Sequence, residues 1–164
     1  MFFSRADENY NVGVIEEGNT AKVAKEIAAQ TGATLIEIEP AVAYPAGYDE
    51  CCDVAQQEQD DDARPELKEL PDLSSYDTVY LGFPIWWGKL PMLMYTLLEG
   101  VDTAGKTIAP FNTHEGSGKG TSASELEALC PEAAIADGLA MRGTTAQNSP
   151  DEVTAEVSAW LESL

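Results

Sequence analysis

Three short stretches of this chain carry residue types suited to holding a ligand. The first joins Ser4-Arg5 to Gly18-Asn19-Thr20-Ala21. Hydroxyls and an amide at the start of a helical segment suit an anion, because the exposed N–H groups and the helix dipole both favour negative charge. The plainer alternative is an ordinary N-cap by Asn19 or Thr20. The second stretch is Pro84-Ile85-Trp86-Trp87-Gly88, directly after the apolar run Val79 to Phe83. Adjacent residues on extended chain point to opposite sides, so both indoles are not expected in one core. Two rings held between Pro84 and Gly88 suit a flat, aromatic ligand. The third is Thr113-His114-Glu115-Gly116-Ser117-Gly118-Lys119-Gly120, whose glycines let backbone approach a ligand closely. His114 is the only histidine. It has the chemistry of a general acid or base, although a single histidine in such a loop more often donates a hydrogen bond or packs.

Other reactive types point to nothing comparable. Cys51, Cys52 and Cys130 are neither a disulfide framework nor spaced as zinc ligands, and read as free thiols. A bridge between the adjacent pair would strain the peptide joining them. Asp60-Asp61-Asp62 reads as a solvated acidic run rather than a metal site, so no metal is expected.

The elements that must position the three loops follow from periodicity. Met1-Phe2-Phe3 starts a very short strand. A helix opens near Gly18, carries Val23, Ala24, Ile27 and Ala28 at helical spacing, and stops at Gly32. Thr34 to Ile38 reads as a strand, Tyr48 to Asp62 as a polar helix, and Tyr76 to Phe83 as the next strand. Pro91 suits the first turn of a helix that ends at Gly100. Lys106 to Asn112 is a strand, and Ser122 with Glu125 has the form of a capping box. Ala133 to Leu139 is a weaker strand, and Ser149-Pro150 opens a last helix through Val153, Val157, Trp160 and Leu161. Five strands alternating with five helices predict an α/β chain, a three-layer, doubly wound, five-stranded parallel sheet, in a single domain over residues 1–164. Ligands of open α/β sheets bind at the carboxyl ends of the strands, where the loops after strands one, three and four can meet.

With 44% hydrophobic residues, the chain can bury about two-thirds of its unfolded surface. No apolar run approaches a membrane span, and the N-terminal residues lack the pattern of a signal peptide, so a cytoplasmic protein off the membrane is expected. Twenty-nine acids against nine bases give a net charge of −20, which repels nucleic acid and anionic membrane and favours basic protein partners.

Taken in order, F-S-R…G-N-T, P-x-W-W-G and T-H-x-G-S-G resemble the loops of flavodoxin-like, FMN-binding proteins of the short-chain bacterial type, over nearly the whole chain. The resemblance implies sheet order 2-1-3-4-5 with FMN at the switch point. It implies that Ser4, Gly18, Asn19, Thr20 and Ala21, with Arg5 beginning the same loop, hold the phosphate. Pro84, Ile85, Trp86, Trp87 and Gly88 would lie beside the isoalloxazine, with one indole stacked on or edging the ring and the backbone near Gly88 meeting flavin N5. Thr113, His114, Glu115, Gly116, Ser117 and Gly118 would meet its pyrimidine side. The activity implied is a low-potential electron carrier, a monomer or weak dimer, working between a basic reductase and a basic acceptor. An NAD(P)H-dependent FMN oxidoreductase acting on quinones or similar electrophiles is the second reading, and a non-redox module for another phosphorylated ligand the third. Absence of a G-x-G-x-x-G turn leans toward the carrier.

Two departures from the family pattern stand out. Residues Ala6 to Glu17 separate the halves of the phosphate loop, and their acids Asp7, Glu8, Glu16 and Glu17 are expected to face solvent. This insert reads as a docking or lid loop. The first strand is also shorter than usual, which implies either a truncated strand or a start codon upstream.

Overall fold

A computed structural model describes residues 1–164. Its central feature is the parallel pairing of strand β3 (Thr78–Pro84) with β4 (Thr107–His114), in register from Thr78 opposite Thr107 to Pro84 opposite Thr113. Around this pair the chain runs β1 (Asp7–Asn9), β2 (Gly13–Ile15), α1 (Asn19–Thr31) and α2 (Tyr48–Asp60) before β3. It continues through α3 (Met92–Gly100) to β4, then α4 (Ser122–Leu129), β5 (Ala134–Ile135), β6 (Leu139–Arg142), α5 (Gly143–Asn148) and α6 (Pro150–Leu161). Helices cover both faces of a parallel sheet, which is the α/β layering that the alternation predicts.

The first two expected strands are reduced to single bridges. Phe2 bridges Glu37 on one side and Gly82 on the other, both parallel. Phe2 N–H donates to Ile36 O at 2.9 Å, Ile38 N–H to Phe2 O at 2.8 Å, Phe3 N–H to Gly82 O at 2.9 Å and Gly82 N–H to Met1 O at 3.0 Å. Phe2 and Phe3 therefore serve opposite faces. Phe3 joins Leu81, Phe83, Leu93 and Leu97 in one core, while Phe2 joins Val23, Ile27, Phe111 and Val157 in the other.

The expected fifth strand is split. β5 pairs Thr107 and Ile108, and β6 pairs Phe111 to His114, with a break between them. Pro110 explains it. The even-numbered residues of β4 face this neighbour, since Ala134 N–H meets Lys106 O and Ala136 N–H meets Ile108 O. At Pro110 the missing N–H removes the next ladder bond. Gly138 backs onto its ring, where a Cβ would lie 3.0 Å from Pro110 Cγ.

Residues Ala6 to Glu17 contain an antiparallel hairpin, β1 with β2. One local expectation needs correction. Glu125 does not close a capping box with Ser122. Its carboxylate accepts Leu90 N–H at 3.0 Å and the Tyr95 hydroxyl at 2.7 Å, joining α4 to the start of α3, while Ser122 Oγ donates to Lys119 O. Tertiary donors outcompete the local cap. No helix is long and apolar enough to cross a membrane.

Gly82 faces the core that holds Phe2 and Phe111. A Cβ there would lie 2.2 Å from Phe111 Cζ and 2.8 Å from Phe2 Cβ. Gly82→Ala is expected to destabilise the protein by about 1–3 kcal/mol through overpacking, read as a lowered midpoint in denaturant unfolding.

Candidate functional site

The carboxyl ends of β3 and β4 open into a cleft of about 600 Å³. Because Pro84 stands opposite Thr113, the loops leaving the two strands start side by side. α1 is fastened to them by Thr20 Oγ1, buried 2.8 Å from Thr113 Oγ1. Ser4, Arg5, Asn19, Thr20, Pro84, Ile85, Trp86, Trp87, Gly88, Thr113, His114, Glu115 and Ser117 line the cleft. Gly18, Ala21, Gly116 and Gly118 do not line it.

The α1 end has the form of an anion cradle. Gly18 precedes the helix, and no side chain caps it. Ser4 Oγ instead accepts Ala21 N–H at 3.0 Å, and the amides of Asn19 and Thr20 have no protein acceptor. The turn is so close that a Cβ on Gly18 would meet Ser4 Oγ at 2.2 Å and Arg5 O at 2.5 Å. Asn19 points its amide toward α5, where its Oδ1 accepts Gln147 Nε2 at 2.8 Å.

The two indoles part, but through a turn rather than the alternation of extended chain. Trp86 packs edge-on against Tyr44 and Phe3, with ring centroids 4.9 and 5.4 Å apart. Trp87 is 54% exposed and donates from Nε1 to Cys52 O at 3.0 Å. A tight turn makes this possible. Trp86 and Lys89 exchange both backbone hydrogen bonds at 3.0 Å, with φ of 50° at Trp87 and 78° at Gly88. Positive φ at both central residues is the I′ geometry, and a tryptophan in that region costs about 1–2 kcal/mol. Gly88 O is taken by Thr121, whose N–H lies at 2.9 Å and hydroxyl at 3.2 Å.

In the third loop, His114 Nδ1 accepts the amides of Gly116 at 2.9 Å and Gly118 at 3.1 Å. Burial holds this imidazole below its ordinary pKa, nearby Arg142 adds to the effect, and Glu115 opposes it. Glu115 Oε1 accepts Thr144 N–H at 2.6 Å, and Oε2 lies 3.6 Å from Arg142 Nη1.

Arg5 is committed to structure. Its guanidinium donates to the carbonyls of Glu8, Pro45, Ala46 and Gly47. It therefore clasps the hairpin to the loop that enters α2. Of the insert's acids, Asp7, Glu8 and Glu16 are exposed, while Glu17 is half-buried and paired with Lys25 at 2.6 Å. None of the four lines the cleft.

Sequence reasoning missed the opposite wall. Asn9 and Tyr10 of the hairpin, and Tyr48, Asp49, Cys51, Cys52, Asp53 and Gln56 of α2, all face the cleft. Tyr10 and Tyr48 pair at 5.6 Å between centroids. The only local signal was the i, i+4 spacing of Tyr48, Cys52 and Gln56 on one helical face. Burial pushes the Cys51 thiol up to about 11, so it is an inert packing residue. No cluster of three His, Cys, Asp or Glu side chains is placed to hold a metal ion.

A family model described as flavodoxin matches residues 13–163. The chain belongs to the flavodoxin family. A protein from Bacteroides uniformis ATCC 8492, provisionally described as a flavoprotein, is similar at 30% identity, with 96% of this chain and 94% of that one covered and a TM-score of 0.75. A flavoprotein from Lactobacillus acidophilus NCFM, crystallised in complex with FMN, shares the fold at 20% identity, with 98% and 95% covered and a TM-score of 0.66. Flavodoxin 2 from Bacillus cereus shares it at 18% identity, with 99% and 98% covered and a TM-score of 0.52. No curated protein matches the chain at a significant level.

The Arg5 clasp of this flavodoxin-family chain is testable. Arg5→Ala is expected to lower stability by about 2–3 kcal/mol and to raise amide exchange in the hairpin and at residues 45–47. Arg5→Lys should rescue little, because a point-charge ammonium cannot reach four carbonyls as the planar fork does.

Proposed function

We propose that this protein binds FMN in the cleft and works as an electron carrier between protein partners. The residues fit the cofactor. Ser4, Thr20 and the free amides at the start of α1 form an uncharged donor set, at a helix N-terminus, for the phosphate. The cleft is large enough for a ring system and is bounded by Trp86, Trp87 and Ile85. Bound FMN supplies redox chemistry by one or two electrons, and the protein's part is to hold it, shield it and set its electrostatic surroundings.

One observation carries the choice of carrier over enzyme. The charged side chains lining the cleft are Arg5, Asp49, Asp53 and Glu115, and the one cation among them is spent on four carbonyls. A nicotinamide dinucleotide brings phosphate charges of its own, and this cleft offers them carboxylates. The same carboxylates, within a chain of net charge −20, favour a basic protein surface. Exposed Asp49 and Asp53 stand at the cleft itself, where a partner must approach for electrons to cross.

Anaerobic stopped-flow mixing of FMN-loaded protein with NADPH, and separately with NADH, tests this. The expected result is no rapid loss of flavin absorbance without a separate reductase. Rapid bleaching by either nucleotide would make the protein an NAD(P)H-dependent FMN oxidoreductase, with quinones the first substrates to screen. A second expectation concerns salt. Electron transfer to a basic acceptor protein should slow steeply as ionic strength rises and the Debye length falls to about 8 Å at 0.15 M, and a rate independent of salt would argue against steering.

A further inference from the structure

We propose that His114 is a positioning residue of the cleft, whose neutral imidazole closes the turn over Gly116–Gly118 and whose protonation at Nδ1 opens that turn and loosens the bound flavin. The inference rests on the FMN reading above.

The geometry assigns the tautomer. Two amides, from Gly116 at 2.9 Å and Gly118 at 3.1 Å, converge on Nδ1. A ring nitrogen that accepts N–H donors carries no proton of its own, so the ring proton sits on Nε2. Nε2 has no protein partner, and His114 lines the cleft beside Thr113 and Ser117. The loop bends at φ of 121° at Gly116 and 61° at Gly118, backbone that glycine adopts at little cost. It is held at its far end by Asn112 Nδ2, which donates to Gly118 O at 2.9 Å. A proton on Nδ1 would set a third donor against the two amides and leave both without an acceptor.

The charged groups around the ring are few. Arg142 of β6 opposes protonation and Glu115 favours it, but the Glu115 carboxylate is already engaged by Thr144 N–H and Arg142. The hairpin contributes uncharged Asn11, which meets Glu115, and α1 contributes uncharged Asn19 and Thr20. The Trp loop contributes no charge at residues 84–88. Because the folded protein holds this imidazole below its ordinary value of about 6.5, the unfolded chain takes the proton first as pH falls. The loop's contribution to stability is therefore full above that value and lost below it.

The experiment compares wild type with His114→Asn, whose side-chain oxygen can accept the same amides and does not titrate. Imidazole ¹⁵N NMR of the apo protein should show Nδ1 unprotonated and Nε2 protonated near neutral pH. As pH falls below about 6.5 the wild-type Kd for FMN should rise more steeply than that of His114→Asn, by up to a further tenfold per pH unit below the histidine's titration, while His114→Asn follows only the titration of the FMN phosphate near about 6. A proton on Nδ1, or parallel Kd profiles for the two proteins, would overturn the proposal. If the protein takes up no FMN at any pH, the flavin reading fails instead. The apo-protein Tm against pH then decides the role of His114: a fall in wild type but not in His114→Asn supports the switch, and equal falls refute it.

Discussion

The pairing of β3 with β4 is the constraint on which the site depends. Its register sets Pro84 opposite Thr113, so the Trp loop and the His114 loop leave the sheet from adjacent positions. The hydroxyl contact of Thr20 with Thr113 then ties the start of α1 to the same edge. Three segments far apart in the chain converge because one ladder fixes two of them and one buried polar pair fixes the third. Gly82, in the middle of β3, allows this packing, since both Phe2 and Phe111 press on it from neighbouring strands.

A second theme is how the chain spends its scarce positive charge. With nine bases against twenty-nine acids, each cation is a limited resource for binding anions. Arg5, beside the anion cradle, is saturated by carbonyls and holds the hairpin onto the α2 loop. The cradle is left to neutral donors and a helix N-terminus, donor types that suit an anion without a counter-charge. The cleft wall that remains is acidic. This division gives a strongly anionic protein an uncharged donor set inside a cleft whose outer wall is negative.

The Trp turn shows how strain and tertiary bonding are matched. Trp87 occupies a left-handed conformation, and the turn is held by the paired hydrogen bonds of Trp86 with Lys89. Its indole reaches Cys52 O, and Gln59 Nε2 reaches Trp86 O at 2.9 Å, so α2 and the Trp loop form one connected wall. The cleft is therefore shaped by α2 as much as by the three loops at the strand ends.

The sequence by itself determined the layering, the order of most elements and the three loops that meet at the strand ends. Those features rest on local rules: apolar periodicity, glycine at left-handed positions such as Gly32, and the opposite directions of neighbouring residues on extended chain such as Phe2 and Phe3. Tertiary structure decided what depends on competing partners. Glu125 left its local cap for Leu90 and Tyr95, and Arg5 turned from the cradle to the carbonyls of residues 45–47. Pro110 divided the fifth strand because its missing N–H faces the neighbour, a direction set by the register of β4. The α2 wall, with Tyr48, Cys52 and Gln56, was invisible as a site because a helical stripe does not say what it faces until the other elements pack against it.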